Sequence, residues 1–577
     1  MPGPDDLAHL ILPTLAADRR ETLRQMYLQG LADGSIRPFL LPQAVLGTFL
    51  IPILYLAVPH ARLPWLRRAR FAVFAAIVAI NAHLLLTASS ANIAFAYAVG
   101  LSAAWGVMWS AALLLWMRPQ DDLARVDARA WSGTGARSRA SSLAAQDGPI
   151  VLNHGNGSAP GSPGPSCIIP SSPNGAGGAG GVHSRKRSDG TVRRRKSVRF
   201  TVAPDEDVAR KMGEYEYYWQ GYPAEASFMT RLGWCTDLVC AFRGCVPNFT
   251  RPENPHANEP VNIESIPQVS VAGSKRYTTR AAFYRNKLLL LALDYAVLDA
   301  CSVLMMQDPY FIIGPLPVPS SSTAPHHLLP PHLARLPYPV LHTYRALLAF
   351  AGVLAVLQAV FTLDALVRLS ILAPLGLIIR GPRADLWHYP TGFGSLAQVL
   401  DKGLLGFWGR WWHQTFRAAF TAPAIALGLS PWPTALIAFV HSGLLHAAGS
   451  ATSAGRDKTD PRGPFAFFVL AFLGVCVQEA LGRALRASGL GPVVFRRRWV
   501  RRAGNLAFVV AWLVATQGLF VDDLARGGIW LLEPVPASPL RAMGYGQPGD
   551  HWLRWGKAEI VPWWHWGRRW WECGIAL

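Results

Sequence analysis

Residues 92–116 read NIAFAYAVGLSAAWGVMWSAALLLW, an unbroken apolar stretch without a charged side chain. A helix of about 20 such residues spans the hydrocarbon core of a bilayer. The pattern recurs along the chain and predicts an all-α fold, a polytopic transmembrane helical bundle with about eight spans. The seven other candidate spans are residues 40–58, 71–88, 288–306, 346–379, 434–448, 465–481 and 506–521.

The composition of the 577 residues agrees with a membrane protein. Hydrophobic residues make up 51% and charged residues 16%, which is too apolar for a set of soluble domains. Residues 1–34 are mixed and charged, unlike a cleavable signal peptide, so we expect the first span to act as the targeting signal. The seven cysteines are irregularly spaced and the histidines lack nearby carboxylate or thiol ligands, so neither a disulfide framework nor a metal site is expected.

The net charge of +20 follows the predicted topology. Arg67, Arg68 and Arg70 follow the first span and Arg118 follows the third, and basic residues collect on the cytosolic side of membrane proteins. This placement predicts that the positive charge interacts with membrane lipids and not with nucleic acid. Both termini are then expected on the far side, in the lumen of the endoplasmic reticulum. Further basic residues expected on the cytosolic side are Arg380, Arg383, Lys402, Arg410, Arg417 and those at 496–502.

Composition divides the chain into four regions. Residues 132–188 are rich in Gly, Ser and Pro and have too few apolar residues to form a core, so we expect disorder there. A basic run beside Ser197 is interpreted as a solvated tether, with phosphorylation or attraction to an anionic leaflet as the alternative. The regions are an N-terminal segment with three transmembrane helices (1–118), a basic insert (119–212), a core (213–525) and a Trp-rich tail (526–577).

Residues 380–433 are too polar at intervals to span a membrane and too aromatic for a free loop, which predicts an interfacial or re-entrant segment. Residues 407–417 within it read FWGRWWHQTFR. A helix here would have one polar face and one tryptophan face that includes Trp408. The alternative is an aromatic-belt helix with snorkelling arginines, which leaves the histidine unexplained. The polar face would consist of Arg410, His413, Gln414 and Arg417.

A second histidine-bearing element, FVHSGLLH at residues 439–446, lies inside a predicted span. An ionisable side chain in a membrane is costly and is therefore a functional candidate. His441 and His446 are five residues apart, about 140° around a helix, so we do not expect them in the same pocket. The alternative for either one is a core histidine that is hydrogen-bonded and has no chemical role.

The two elements together closely resemble the wax-synthase-like branch of the membrane-bound O-acyltransferases, particularly fungal members that acylate or acetylate secondary-metabolite alcohols. The similarity runs in the same order over about residues 214–522. Residues 245–247 depart from the family pattern, which has an aromatic continuation there. Besides FWGRWWHQTFR and HSGLLH, the similarity rests on residues 216–220, 242–244, Asn248, 308–311, Trp387, Pro390 and Phe393.

The resemblance implies an acyl-CoA-dependent O-acyltransferase with His446 as the catalytic histidine and His413 as its partner. His441 has no counterpart in the family pattern. No bound cofactor is expected, and acyl-CoA or acetyl-CoA is the expected co-substrate. The expected substrate contacts are Trp408, Arg410, Gln414, Arg417, Ser442 and Asn248.

In the expected mechanism the alcohol attacks the acyl-CoA directly, because no activated Ser or Cys is visible. His446 takes the hydroxyl proton, and His413 or Gln414 donates to the carbonyl oxygen. A long-chain wax-ester or sterol acyltransferase is the alternative enzyme. A transporter is the alternative class, although no internal repeat supports it. Its pathway groups would be Asp294, Asp299, Asp364, Arg368 and Glu479.

Overall fold

The computed structural model describes most of the chain outside the insert. The chain forms two compact units, residues 1–128 with 217–577 and residues 129–216. Almost all of the second unit lies outside the described residues. Residues 132–188, for which disorder is predicted, also lie outside them. The described residues are 4–60, 63–130, 215–240, 268–315, 329–375, 381–489, 496–555 and 562–576.

The first unit is a helical bundle, as predicted. In the described residues, six helices are long and apolar enough to span a membrane: α3, α4, α6, α7, α10 and α11. A seventh candidate is the pair α12 and α13, which is bent by 44°. The helices are α1 (Pro4–Asp33), α2 (Gln43–Leu56), α3 (Pro64–Thr87), α4 (Ile93–Trp116), α5 (Phe228–Cys240), α6 (Arg280–Met305), α7 (Tyr338–Leu375), α8 (Ala397–Gly406), α9 (Arg417–Ala426), α10 (Pro431–Thr452), α11 (Arg462–Ala487), α12 (Arg498–Thr516) and α13 (Gly518–Arg526).

The first predicted span, residues 40–58, forms the short α2, which by length alone does not qualify as a span. Its contacts nevertheless follow α3 in the antiparallel direction along nearly the whole length of that helix. The contacts are Phe39 N–H to Ser89 O (2.9 Å), Thr48 Oγ1–H to Asn81 Oδ1 (3.0 Å) and Tyr55 O–H to Leu66 O (2.8 Å). The segment therefore runs alongside α3 between the two ends of the bundle, and the described residues hold six candidate spans, or seven with the bent pair, against the expected eight.

Short strands tie both terminal regions to one end of the bundle. We call the end where α3 begins and α4 ends the basic end, and the opposite one the tail end. The segment before α2 and the C-terminal strands both lie at the tail end. The strands are β1 (Arg37–Pro38), β2 (Leu40–Leu41), β3 (Ala88–Ser89), β4 (Arg125–Ala130), β5 (Tyr215–Gln220), β6 (Trp563–His565) and β7 (Gly574–Ala576); β1 pairs with β3, β2 with β7, β6 with β7, and β4 with β5.

The predicted re-entrant segment enters the bundle from the basic end. Asp401 of α8 accepts two hydrogen bonds from Arg502 of α12, at 2.8 and 2.9 Å. The backbone then turns at Gly403, whose φ of 59° favours glycine and where a Cβ would collide with the Gln478 amide. Gln478 Oε1 accepts the freed Leu404 N–H at 2.8 Å. A backbone break inside a membrane is tolerated when side chains satisfy its polar groups in this way.

The tip of the re-entrant segment passes the middle of the bundle. Trp408 lies 5.6 Å, ring to ring, from Phe468. Phe468 is near the start of α11, which begins at the tail end. The segment therefore brings polar and aromatic groups from the basic end to the region around α10 and α11.

Candidate active site

The residues 407–417 do not form one helix, in contrast to the prediction. A π-helical turn spans Phe407–Trp411 and ends at Trp412, whose φ of −59° and ψ of 150° are extended. The Gln414 amide holds the break, because its Nε2–H groups donate to Trp408 O at 3.0 Å and to Trp412 O at 2.6 Å. Side-chain hydrogen bonds to the backbone compete with helix formation, and here they end the helix.

The expected polar face is therefore absent, and its arginines bind backbone. Arg417 Nη1–H donates to Gly409 O at 2.8 Å and to Gln414 Oε1 at 2.9 Å. Arg410 Nη1–H donates to Val271 O at 3.2 Å, which ties the segment to a neighbouring loop. These side chains shape the re-entrant turn, and a contact of Arg410 or Arg417 with substrate stays a prediction.

His413 lies in an aromatic cluster just after the break. The rings of Trp412 and Phe416 lie 5.4 and 5.8 Å from the imidazole. Phe361 of α7 and Phe393 contribute two more rings, at 5.8 and 6.1 Å. The predicted partner histidine is thus held by aromatic packing from α7 and from the re-entrant segment itself.

His446 lies on α10 and is hydrogen-bonded to another helix. The Tyr97 hydroxyl of α4 is 3.1 Å from His446 Nδ1 and 3.4 Å from the backbone oxygen of the same residue. The imidazole stacks on Phe468 at 4.9 Å with planes 11° apart, and Phe520 of α13 meets it edge-on at 5.1 Å. The half-buried imidazole therefore has one fixed polar partner and two aromatic walls.

Two glycines allow Tyr97 to reach His446. A Cβ on Gly449 would lie 2.7 Å from the Tyr97 ring, and a Cβ on Gly100 would collide with the backbone oxygen of Ala448. Small residues permit membrane helices to approach this closely. Sequence analysis missed Tyr97 because it looked like one more apolar residue of a span. The only signal was the pair of glycines, which are far apart in the sequence.

The two histidines are connected through aromatic rings rather than by a described direct contact. Trp408 packs on Phe468 at 5.6 Å and on Trp412 at 5.9 Å. Phe468 in turn stacks on His446, and Trp412 packs on His413. The re-entrant tip therefore links both predicted elements, with Trp408 between them.

Trp408 also carries a hydrogen-bond donor that is available to a ligand. Its buried Nε1–H has no acceptor within hydrogen-bond distance in the described part of the chain. Leaving a buried donor unpaired costs about 1–3 kcal/mol, and such groups call for an explanation. A contact of Trp408 with substrate stays a prediction.

The two other candidate residues of α10, Ser442 and His441, have different surroundings. Ser442 lies one helical turn before His446 and is half-buried. His441 Nδ1–H donates to Ile437 O at 2.8 Å, and its ring stacks on Phe420 at 5.9 Å. His441 thus has the features of a core histidine satisfied by its own helix. Asn248 lies outside the described residues.

Several residues that carried the resemblance meet at the basic end, away from His446. Tyr217 O–H donates to Asp385 at 2.5 Å, and the Tyr217 ring packs edge-on against Trp387 at 6.2 Å. Asp237 of α5 pairs with Arg125 and, at 2.6 Å, with Arg383. These contacts brace the region before α8 and give it a structural role.

The acidic residues of the transporter alternative are scattered and locally paired. Asp299 accepts hydrogen bonds from Ser538 and from the Leu540 backbone, and it lies near the tail end. Three other acidic residues also have local partners. They are Asp294 with Gln358, Asp364 with Arg368, and Glu479 with Arg483.

The chain is similar to known acyltransferases over part of its length. Residues 389–470 match the model of the membrane bound O-acyl transferase family, a region that contains His413 and His446. The chain is also 26% identical over 164 residues to acetyltransferase aurG of Calcarisporium arbuscula. That alignment covers 26% of the chain and 38% of the relative, so the chain matches less than half of that protein's length. No solved structure matches the chain.

Proposed function

We propose that this chain, which belongs to the membrane bound O-acyl transferase family, transfers an acyl group from acyl-CoA to the hydroxyl of a lipophilic alcohol. The observation that carries the proposal is the hydrogen bond between Tyr97 and His446 beside the re-entrant tip. It orients an imidazole inside a candidate membrane span, and Phe468 links that imidazole to the tip, where the Trp408 Nε1–H has no acceptor among the described residues. These are the parts that acyl transfer to an alcohol requires.

His446 acts as the general base. The Tyr97 O–H donates to the His446 backbone oxygen, and the Tyr97 oxygen then accepts the imidazole Nδ1–H. This arrangement leaves Nε2 without a proton, so its lone pair can accept one from the alcohol. Tyr97 is therefore a positioning residue that fixes the tautomer and the ring orientation.

The reaction needs no covalent enzyme intermediate. The alcohol oxygen forms a bond to the thioester carbonyl carbon while its proton passes to His446 Nε2. The tetrahedral intermediate then breaks its C–S bond, and the imidazolium returns the proton to the CoA sulfur. The products are an ester and CoA, and the histidine regains its starting form.

Trp408 is the donor for the developing oxyanion. Gln414 was one expected donor, but its amide hydrogens already bind two backbone oxygens. The buried indole N–H of Trp408 has no such partner in the described residues. Phe468 and Phe520 flank His446 and exclude water, which strengthens the hydrogen bonds to the oxyanion.

The acceptor is a lipophilic alcohol such as a terpenoid, and the acyl group is acetyl. The depth of His446 within a transmembrane helix supports an acceptor that enters from the lipid. The similar region of a protein named as an acetyltransferase supports the short donor. The basic end lies on the cytosolic side of the endoplasmic reticulum membrane, where acyl-CoA is available.

The test uses membranes that contain the full chain. Acetyl-, octanoyl- and palmitoyl-CoA are combined with terpenoid, sterol and fatty alcohols, while CoA release and ester products are measured by mass spectrometry. We expect CoA release that depends on the alcohol and is fastest with acetyl-CoA. Preference for palmitoyl-CoA would favour the wax-ester or sterol alternative. Uptake of an alcohol into proteoliposomes without CoA release would overturn the enzymatic proposal.

A further inference from the structure

A cleft at the basic end is separate from the histidine site. It opens between the start of α3 and the end of α4 and, counted together with the open solvent at its mouth, has an empty volume of about 430 Å³. Its floor is apolar and its rim is basic. The floor includes Leu113, Leu114 and Met117, and the rim carries Arg67, Arg70 and Arg118.

The cleft has a preformed polar frame. The Gln120 Nε2–H groups donate to Leu56 O at 2.7 Å and to Val58 O at 2.8 Å, and its Oε1 accepts the His60 N–H at 2.9 Å. Burial lowers the pKa of His60, whose Nε2–H donates to Tyr55 O at 3.1 Å. The frame is thus neutral and internally satisfied, and the charge of the cleft comes from its rim.

Two rim arginines have no counter-charge among the described residues. Arg67 pairs with Asp121 at 2.6 Å, the one acidic residue of the lining. Arg70 stacks on the Phe71 ring at 4.8 Å. Within the described residues, neither Arg70 nor Arg118 has a carboxylate within ion-pair distance. Two guanidinium groups beside one cleft favour an anion that can accept several hydrogen bonds, such as a phosphate.

The surroundings of the cleft match the headgroup level of a bilayer. Trp65, Phe71 and Trp116 are 66%, 59% and 39% exposed, and aromatic side chains collect at membrane interfaces. The adjoining α3 is the least buried of the six candidate spans, with 11% of its apolar window inside the protein. Its exposed face is available to lipid chains directly below the cleft.

We propose that this cleft binds the phosphate of an anionic glycerophospholipid in the leaflet at the basic end. Arg70 and Arg118 donate to the phosphate oxygens, and the acyl chains follow the exposed face of α3. The aromatic rim and the lipid-facing helix favour a membrane lipid over a free phosphate compound.

The test measures lipid binding to the purified full chain in neutral detergent by native mass spectrometry. Phosphatidylglycerol and phosphatidylcholine are titrated separately. We expect a preference for phosphatidylglycerol that falls about fivefold for each guanidinium lost in Arg70→Gln and Arg118→Gln. Arg70→Lys with Arg118→Lys keeps the charge and is expected to retain most of the preference, which guards against a folding defect.

Arg68→Gln is the matched control, since Arg68 is exposed in the same helical turn but does not line the cleft. It is expected to leave the preference unchanged. Equal losses in Arg68→Gln and in the cleft variants would overturn the site in favour of general surface charge. Displacement of the lipid by CoA or inorganic phosphate at equal concentration would also overturn it, in favour of a soluble phosphate ligand.

Discussion

His441 and His446 are five residues apart on α10 and have the same kind of Nδ1 hydrogen bond, yet their surroundings differ. His441 bonds to Ile437 of its own helix, whereas His446 bonds to Tyr97 of α4. His446 also stacks on Phe468, which the re-entrant tip contacts. Because both histidines have the same Nδ1–H tautomer, the tautomer alone does not make a histidine a general base. What distinguishes His446 is that its partners, Tyr97 and Phe468, lie on other helices.

The largest effect is expected from removing the two histidines separately. His446→Ala should lower kcat about a thousandfold or more, because the general base is lost. His441→Ala should change kcat less than threefold, since it removes only a bond within α10. Initial rates of CoA release, normalised to the amount of protein in the membrane, measure both. Similar losses in the two variants would end the distinction between them.

The next largest effect is expected at the re-entrant tip. Trp408→Phe keeps an aromatic ring but removes the indole N–H, so kcat should fall about a hundredfold if that group binds the oxyanion. Trp512→Phe is the control, because its Nε1–H is also buried and lacks an acceptor among the described residues, but Trp512 packs on Phe508 of α12. A full rate in Trp408→Phe would remove the indole from the mechanism.

A smaller effect is expected from Tyr97→Phe. The variant retains the packing against Gly449 and loses only the hydroxyl that orients His446. We expect kcat to fall about tenfold with little change in KM, because orientation matters in the transition state more than in binding. Thermal unfolding serves as the control for a purely structural role. A rise in KM at constant kcat would contradict the positioning role.

The smallest effect concerns a histidine outside the spans. Burial, and then the charges of Arg383 and Arg368, lower the pKa of His388 to about 3. The unfolded chain therefore binds a proton below about pH 6.5 that the folded chain does not, and stability falls as the pH drops from there towards 3. Between pH 7 and pH 5 this group should cost about 2 kcal/mol of unfolding free energy.

Thermal unfolding of His388→Gln at pH 7 and pH 5 tests that expectation. The variant should lose less stability at pH 5 than the original chain does. A variant of the exposed His551, His551→Gln, should keep the original pH dependence. Equal pH dependence in all three proteins would show that the pKa of His388 is not lowered in the folded chain.

Sequence reasoning succeeded where one local property decides the structure. Apolar length predicted the bundle, whereas the roles of His413 and His446, which lie within the region that matches the family model, stay predictions. Even so, 434–448 was too short a boundary for α10, which continues to Thr452 because small residues pack it closely against α4.

Sequence reasoning failed where distant residues decide the structure. The helix expected through residues 407–417 ends at Trp412, because the Gln414 side chain binds backbone oxygens instead of lying on a polar face. The partner of His446 is Tyr97, and their contact depends on glycines in two helices that meet only in the folded chain. Periodicity within one segment carries no information about either arrangement.

The most direct measurement is an experimental structure of the full chain with a lipophilic alcohol and a non-hydrolysable acyl-CoA analogue bound. We expect the alcohol oxygen within about 2.6–3.2 Å of His446 Nε2. We also expect the acyl oxygen within hydrogen-bond distance of Trp408 Nε1. An alcohol bound beside His441, or a substrate pocket that leaves Nε2 of His446 facing only protein, would contradict the central claim.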